Sequence, residues 1–123
     1  MKVRDTGEGF VIVLSRGEKV IEALTSFCKE RGIGSGIFRG IGAVKHATLG
    51  YYSLAKKEYF FKNFPDDMEV ASMMGNIALV DGIPFLHTHV VLSKMDDSLS
   101  CVGAHLKEGE VAVTLEVYLT TFK

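Results

Sequence analysis

The sequence is short of the features that mark a linker, an export signal or a nucleic-acid surface. Only 2 of its 123 residues are proline, and no low-complexity tract, internal repeat or linker-like run interrupts it. A chain of this length can bury one hydrophobic core and not two, so residues 1–123 are read as a single domain. Cations are not in excess: Lys and Arg total 14 against 15 Asp and Glu, for a net charge of −1 with histidine neutral. A protein held to DNA by many phosphate contacts needs a basic face. The most basic aromatic segment, KHATLGYYSLAKKEYFFK, spreads its charges and is interrupted by Glu58. Composition therefore lends DNA binding no support, and at most weak binding is expected.

Export and membrane signals are missing as well. The apolar run FVIVL is too short for a signal core, and Asp5 and Glu8 precede it where a signal peptide would be basic. There are just two cysteines, Cys28 in an expected helix and Cys101 in an expected strand. Both are read as buried thiols rather than a disulfide pair, which fits a reducing, cytoplasmic setting with no membrane partner. No nucleophile motif or P-loop is present, and GIGSGIFRG lacks the glycine spacing of a dinucleotide fingerprint.

What is present reads as one helix among many short strands. GFVIVL, residues 9–14, is an apolar strand rich in β-branched residues. Ser15 and Glu18 have the spacing of a capping box, and Val20, Ile21, Leu24, Phe27 and Cys28 form one apolar stripe at helical spacing. Lys29, Arg31 and Gly32 supply a favourable end, so a helix is predicted over about 18–31. The glycines between residues 32 and 42 argue for bends or close packing rather than a second helix. Strands are expected from Ala43 to Tyr52, in KEYFFKNF, from Asn76 onward, and over about 84–92, 99–106 and 111–121. Residues 68–75 are ambiguous, and Asp81–Gly82 marks a tight turn. The fold class expected is α+β, with a largely antiparallel, strongly curved sheet that curls toward a barrel.

The chemistry is concentrated in DGIPFLHTHVVLS, residues 81–93. Side chains two apart on a strand share a face, so Phe85, His87, His89 and Val91 oppose Leu86, Thr88, Val90 and Leu92, and the second set is the core face. The next strand divides Leu99, Cys101, Gly103 and His105 from Val102, Ala104 and Leu106. SKMDDS between them is short and polar, which implies an antiparallel hairpin. Centred on Asp96, it puts His105 opposite His87 and Gly103 opposite His89, with opposed Cβ atoms about 4.5–5.5 Å apart. Three imidazoles then converge on one patch, a donor set suited to zinc with a fourth position open. The plainer alternative is three hydrogen-bonded histidines in a half-buried sheet, and a half-step change of register would turn His105 to the core. Cys101 is read as a packed thiol and His46 as a surface or packing residue. Glu116, in the final strand, and Arg39, flanked by glycine, are candidate catalytic or anion-binding groups. Because the histidine strand is apolar on both faces while one helix covers only one, self-association is expected to cover the other.

GNIALVDGIPFLHTHVVLSKMDDSLSCVGAHLKEGEVAVTLEVYL resembles the second half of the PPC domain, the "plants and prokaryotes conserved" domain. The pattern is a DG-x-P turn (Asp81, Gly82, Pro84), an H-x-H strand (His87, His89), a G-G/A-H-L segment (Gly103 to Leu106) and a T-x-E strand (Thr114, Glu116). Upstream, GIFRGIGAVKHATLGYY is similar to the family's G-x-G-x-V…A-x-L-G-Y stretch. Ala104 stands where many members have a second glycine. The resemblance implies an α+β fold, a homotrimer, and a metal, zinc above all, on His87, His89 and His105. The family also carries a DNA-binding label, which arises from plant members fused to AT-hook segments; this chain has no RGRP hook. Three functions follow as expectations: a trimeric metal-binding module holding a small-molecule ligand or partner, a zinc-dependent enzyme with Glu116 as base, or a DNA-associated regulator. The first is favoured.

Overall fold

Strand-forming sequence dominates, and the computed structural model, which describes residues 1–122, follows it. In chain order the elements are β1 (Lys2–Asp5), β2 (Gly9–Ser15), α1 (Val20–Glu30), β3 (Gly36–Ser53), β4 (Glu58–Phe64), β5 (Met68–Val80), β6 (Ile83–Lys94) and β7 (Cys101–Thr121). They form one sheet in the order β1-β2-β7-β6-β5-β3-β4, and β3 also pairs with β7. Every pairing is antiparallel. The pairings β3–β5–β6–β7–β3 thus return to their starting strand, which leaves β1 and β4 as edges. The α+β, mainly antiparallel reading holds.

The core is apolar and draws on the sheet and the helix. Ile12, Leu14, Phe38, Leu92, Leu115 and Val117 are fully or almost fully buried, and the helix adds Val20, Leu24, Phe27 and Cys28. Full burial of each large aliphatic or aromatic side chain stabilises by about 1.5–3 kcal/mol. The helix lays this stripe against β6 and β7, behind the strands that carry the histidines. Burial pushes the Cys28 thiol up to about 11, so it behaves as a small hydrophobe. No helix among the described residues is long and apolar enough to cross a membrane.

The helix is shorter than its signals suggested. Glu18 does bond back to the Ser15 N–H at 2.7 Å, but it does so in a turn ahead of the helix. Lys19 is still extended and bridges Glu110, so the helix starts at Val20 with no capping side chain from its own N-cap. The cap comes from far along the chain: the Glu108 carboxylate accepts from Ile21 N at 2.8 Å and from Glu22 N at 3.0 Å. The expected end holds, with Gly32 at φ 66° and the Ile33 N–H returning to Cys28 O at 2.9 Å.

Three strands are longer than expected. β3 begins at Gly36, because the glycines of this stretch are used for close backbone approach; a Cβ on Gly42 would lie 2.0 Å from Thr114 O. β5 is continuous from Met68, the ambiguous half pairing with β3 and β6. The predicted strands 99–106 and 111–121 merge into the single strand β7. The polar KEGE lies between those two predicted strands. It stays extended because Glu108 pairs with Thr48 and Glu110 with Lys45, across register slips in β3.

Candidate metal centre

The hairpin of β6 and β7 makes the site. Along β6 burial alternates as the sequence requires: Leu86, Thr88, Val90 and Leu92 are buried, while Phe85, His87, His89 and Val91 face outward and are exposed. The one polar member of the inner set, Thr88, is satisfied by donating to Leu86 O at 3.1 Å. The connecting loop is shaped by Asp96, whose Oδ1 accepts from Ser98 N at 2.9 Å and from the Ser98 hydroxyl, with Leu99 at φ 49°. Those bonds to Ser98 hold the Asp96 carboxyl below its usual range.

The loop fixes a register one pair away from the expected one. Ser93 pairs with Cys101, Val91 with Gly103 and His89 with His105, so the hairpin is centred on Asp97 rather than Asp96. His105 therefore opposes His89, not His87, and Gly103 sits against Val91 instead of opening space beside His89. A shift of a whole pair keeps every side chain on its face, so the convergence survives. Cys101 moves to the mouth of the hairpin, where its exposed thiol lies 3.5 Å from Leu99 O; it is not the packed thiol expected.

The three imidazoles form one cluster. Ring centroids are 5.0 Å apart for His87 and His89, 5.7 Å for His87 and His105, and 5.9 Å for His89 and His105. One ring nitrogen from each lies within 4.8 Å of the others, and His105 is the least exposed of the three. Burial, then the neighbouring His87 and His89, push the His105 imidazole below its ordinary range. A low value keeps the ring neutral, the form that ligates a metal. Tetrahedral zinc at about 2.0–2.1 Å needs donors roughly 3.4 Å apart, which small rotations of the two exposed histidines supply. The donor set fits zinc.

A continuous cross-strand row passes through the cluster. Phe61 opposes Gly50, Gly50 opposes His105, His105 opposes His89, His89 opposes Met74, and Met74 opposes Arg39. Arg39 is thus exposed on the histidine face, with the Met74 strand between it and His89. Glu116 is half-buried far along β7, opposite Val13 and Ile41, and stands outside the cluster. His46 is exposed at φ 49°, its N–H on Pro65 O, and belongs to the end of β3's first half. The sequence reading missed the aromatic neighbours: Tyr59 stands 5.9 Å from His105 and stacks with Phe61 at 5.8 Å. Their period-two spacing in KEYFFKNF was legible, but not which strand β4 would join.

Comparison with known proteins agrees with this architecture. No curated protein matches the chain. A plant- and prokaryote-conserved (PPC) protein of Pyrococcus horikoshii superposes with a TM-score of 0.87 at 34% identity, over 99% of this chain and 81% of that one. The metal-containing protein AF0104 of Archaeoglobus fulgidus gives a TM-score of 0.83 at 35% identity, over 98% of this chain and 86% of the other. A candidate DNA-binding protein of Bacteroides thetaiotaomicron gives 0.93 at 27% identity, over 99% and 84%. The Plants and Prokaryotes Conserved (PCC) domain model matches residues 1–123. With its hairpin, its histidine cluster and these relatives in agreement, the chain belongs to the Plants and Prokaryotes Conserved domain family.

Proposed function

We propose that this chain is a metal-binding module that holds zinc on His87, His89 and His105, assembles as a homotrimer and presents the metal to a small ligand. The observation that carries the metal reading is the cluster itself: three imidazole nitrogens within 4.8 Å on the outer face of the β6–β7 hairpin. A relative 35% identical is itself a metal-containing protein. Three neutral nitrogen donors with a fourth position open are the ligand set of zinc sites that bind water or substrate. His105 is the ligand fixed by packing, and the two exposed histidines of β6 adjust to it. Zinc, when bound there, supplies a Lewis acid. Arg39, one strand beyond His89, is the group available to an anionic ligand on the same face, and Glu116 is a more distant candidate base.

Assembly is supported by the same face. Ile37, Ile41, Met74, Val91 and Tyr118 lie exposed around Arg39 and His89, with Ile41 at 57% and Met74 at 60%. Exposed apolar side chains spread over four neighbouring strands are a surface that association covers. Copies meeting there bring the histidines close to a subunit boundary. Elemental analysis tests the metal reading: about one zinc per chain is expected for the wild type, and His89→Ala should lose it while keeping the fold. Undiminished metal in that variant contradicts the assignment. Light scattering tests assembly, and a monomer mass at micromolar concentration contradicts the trimer.

A second reading, association with DNA, is favoured by structural neighbours from Bacteroides thetaiotaomicron and Ralstonia eutropha that are candidate DNA-binding proteins. The balance of 14 basic and 15 acidic residues gives this chain little uniform attraction for phosphate. A salt titration separates the readings: binding through phosphates weakens with a slope of about −0.9 per contact. Tight, sequence-selective binding near physiological salt would favour the DNA reading.

A further inference from the structure

A cleft of about 480 Å³ opens beside the histidines, lined by Tyr59, Phe61, Asn76, Phe85, His87 and His105. Its volume falls within the range of about 300–1,000 Å³ usual for small-molecule sites. Half of its lining is aromatic, and the three rings come from two strands: Tyr59 and Phe61 from β4, Phe85 from β6. Each ring is close to half exposed, at 53%, 44% and 48%. Tyr59 and Phe61 lie almost parallel, with an interplanar angle of 10°, and Tyr59 leans on the His105 ring.

Gly50 is what brings this wall to the histidines. It lies between Phe61 and His105 in the cross-strand row, and a Cβ there would come within 2.4 Å of Phe61 Cδ1. With no side chain at that position, the Phe61 ring lies across β3 toward His105. No carboxylate, lysine or arginine lines the cleft. Its polar groups are the two imidazoles, the Tyr59 hydroxyl and the Asn76 amide, which stands opposite His87. This mainly aromatic wall suits an occupant that is planar and apolar along most of its length, with its charge at the histidine end. Lys107, whose Nζ lies 4.5 Å from the Phe61 ring centroid, adds positive potential at that wall.

We propose that this cleft binds a small single-ring aromatic carboxylate, its ring against Tyr59, Phe61 and Phe85 and its carboxylate at the metal end, where Asn76 donates to it. The inference rests on the zinc reading above and deepens it by naming the ligand class. Offset or edge-on aromatic contacts contribute about 0.5–1.5 kcal/mol each beyond area burial. Benzoate should therefore bind at least about tenfold tighter than acetate, which shares its head group and lacks the ring.

The test uses cobalt(II) in place of zinc, because its visible absorption reports a head group arriving at the metal. The cobalt-loaded protein is titrated with benzoate and, separately, with acetate. The expected result is a spectral change with both and the tenfold preference for benzoate. In Tyr59→Ala/Phe85→Ala, which alters only exposed side chains, cobalt should remain stoichiometric while the preference shrinks to about threefold or less. Stoichiometric cobalt with benzoate no tighter than acetate overturns the ligand class and leaves the metal reading standing. A wild-type chain that takes up neither cobalt nor zinc overturns both. Loss of oligomer mass in the double variant, together with no benzoate response in the wild type, would mean that a second copy fills the cleft, and that also overturns it.

Discussion

Removing the Glu108 carboxylate should uncap the only helix among the described residues without touching a metal ligand. Both oxygens of Glu108 are committed, Oε1 to Ile21 N and Gly109 N and Oε2 to Glu22 N, at 2.8–3.0 Å. Glu108→Ala strips two N–H groups of the first helical turn of their acceptor. Loss of an N-cap costs about 0.5–2 kcal/mol, and removing a negative charge from a helix N-terminus about 0.3–1 kcal/mol more. Against this stands the hydration recovered by a half-buried carboxylate and the access of water to Glu22, which is exposed. The net expectation is destabilisation by about 1.5–2.5 kcal/mol, because bonds to a charged acceptor are worth more than neutral ones. For a domain of this size that lowers the melting temperature by roughly 5–12 °C. Glu108→Gln keeps one acceptor and loses the charge, so it should fall about midway. Thermal melts followed by circular dichroism read the effect, and zinc stoichiometry measured in parallel should be unchanged. If Glu108→Ala melted within about 2 °C of the wild type, the long-range cap would not be what holds the start of α1.

The remaining predictions concern the histidine face. Burial and two neighbouring imidazoles lower the His105 pKa, so the metal-free folded state binds fewer protons there than the unfolded chain. Its stability should therefore be lost as pH falls through about 6.5, whereas zinc-loaded protein should hold to lower pH. A metal-free melting temperature flat between pH 7.5 and 5.5 would contradict this. Met74→Glu places a charge in the exposed apolar row beside Arg39 and His89 and should reduce the oligomer mass by light scattering; an unchanged mass would move the interface elsewhere. Gly50→Ala should displace the Phe61 ring and destabilise by about 1–3 kcal/mol, visible as a lower urea midpoint. An unchanged midpoint would mean that the ring is free to leave. Cys101→Ser should leave zinc stoichiometry intact, since the exposed thiol sits four residue pairs from His89 at the mouth of the hairpin.

What could be read in the sequence was parity, and what could not was register and partnership. The alternation of HTHVVL sorts core from outer face whatever strand lies alongside, which is why His87, His89 and His105 converge even though the hairpin is centred on Asp97 instead of Asp96. The shift itself depends on how Asp96 and Ser98 close the loop, and composition does not settle such local bonding. The true cap of α1 was invisible because Glu108 is 86 residues from Glu22. The nearer Ser15–Glu18 pair forms its bond in a turn. KEGE, which falls between the two predicted strands, stays extended because β3 offers it a partner. The aromatic wall depends on β3 lying against β7, so that Gly50 stands between Phe61 and His105, a long-range pairing that neither segment announces.

X-ray absorption at the zinc edge tests the central claim most directly, because it reads the ligands of the metal in the intact protein. The expected spectrum for the zinc-loaded wild type is three imidazole nitrogens at about 2.0–2.1 Å with one further light atom. Loss of imidazole scattering is expected in His105→Ala. A sulfur scatterer near about 2.3 Å, which only a cysteine or methionine could supply, or a spectrum of fully hydrated zinc would contradict a three-histidine centre.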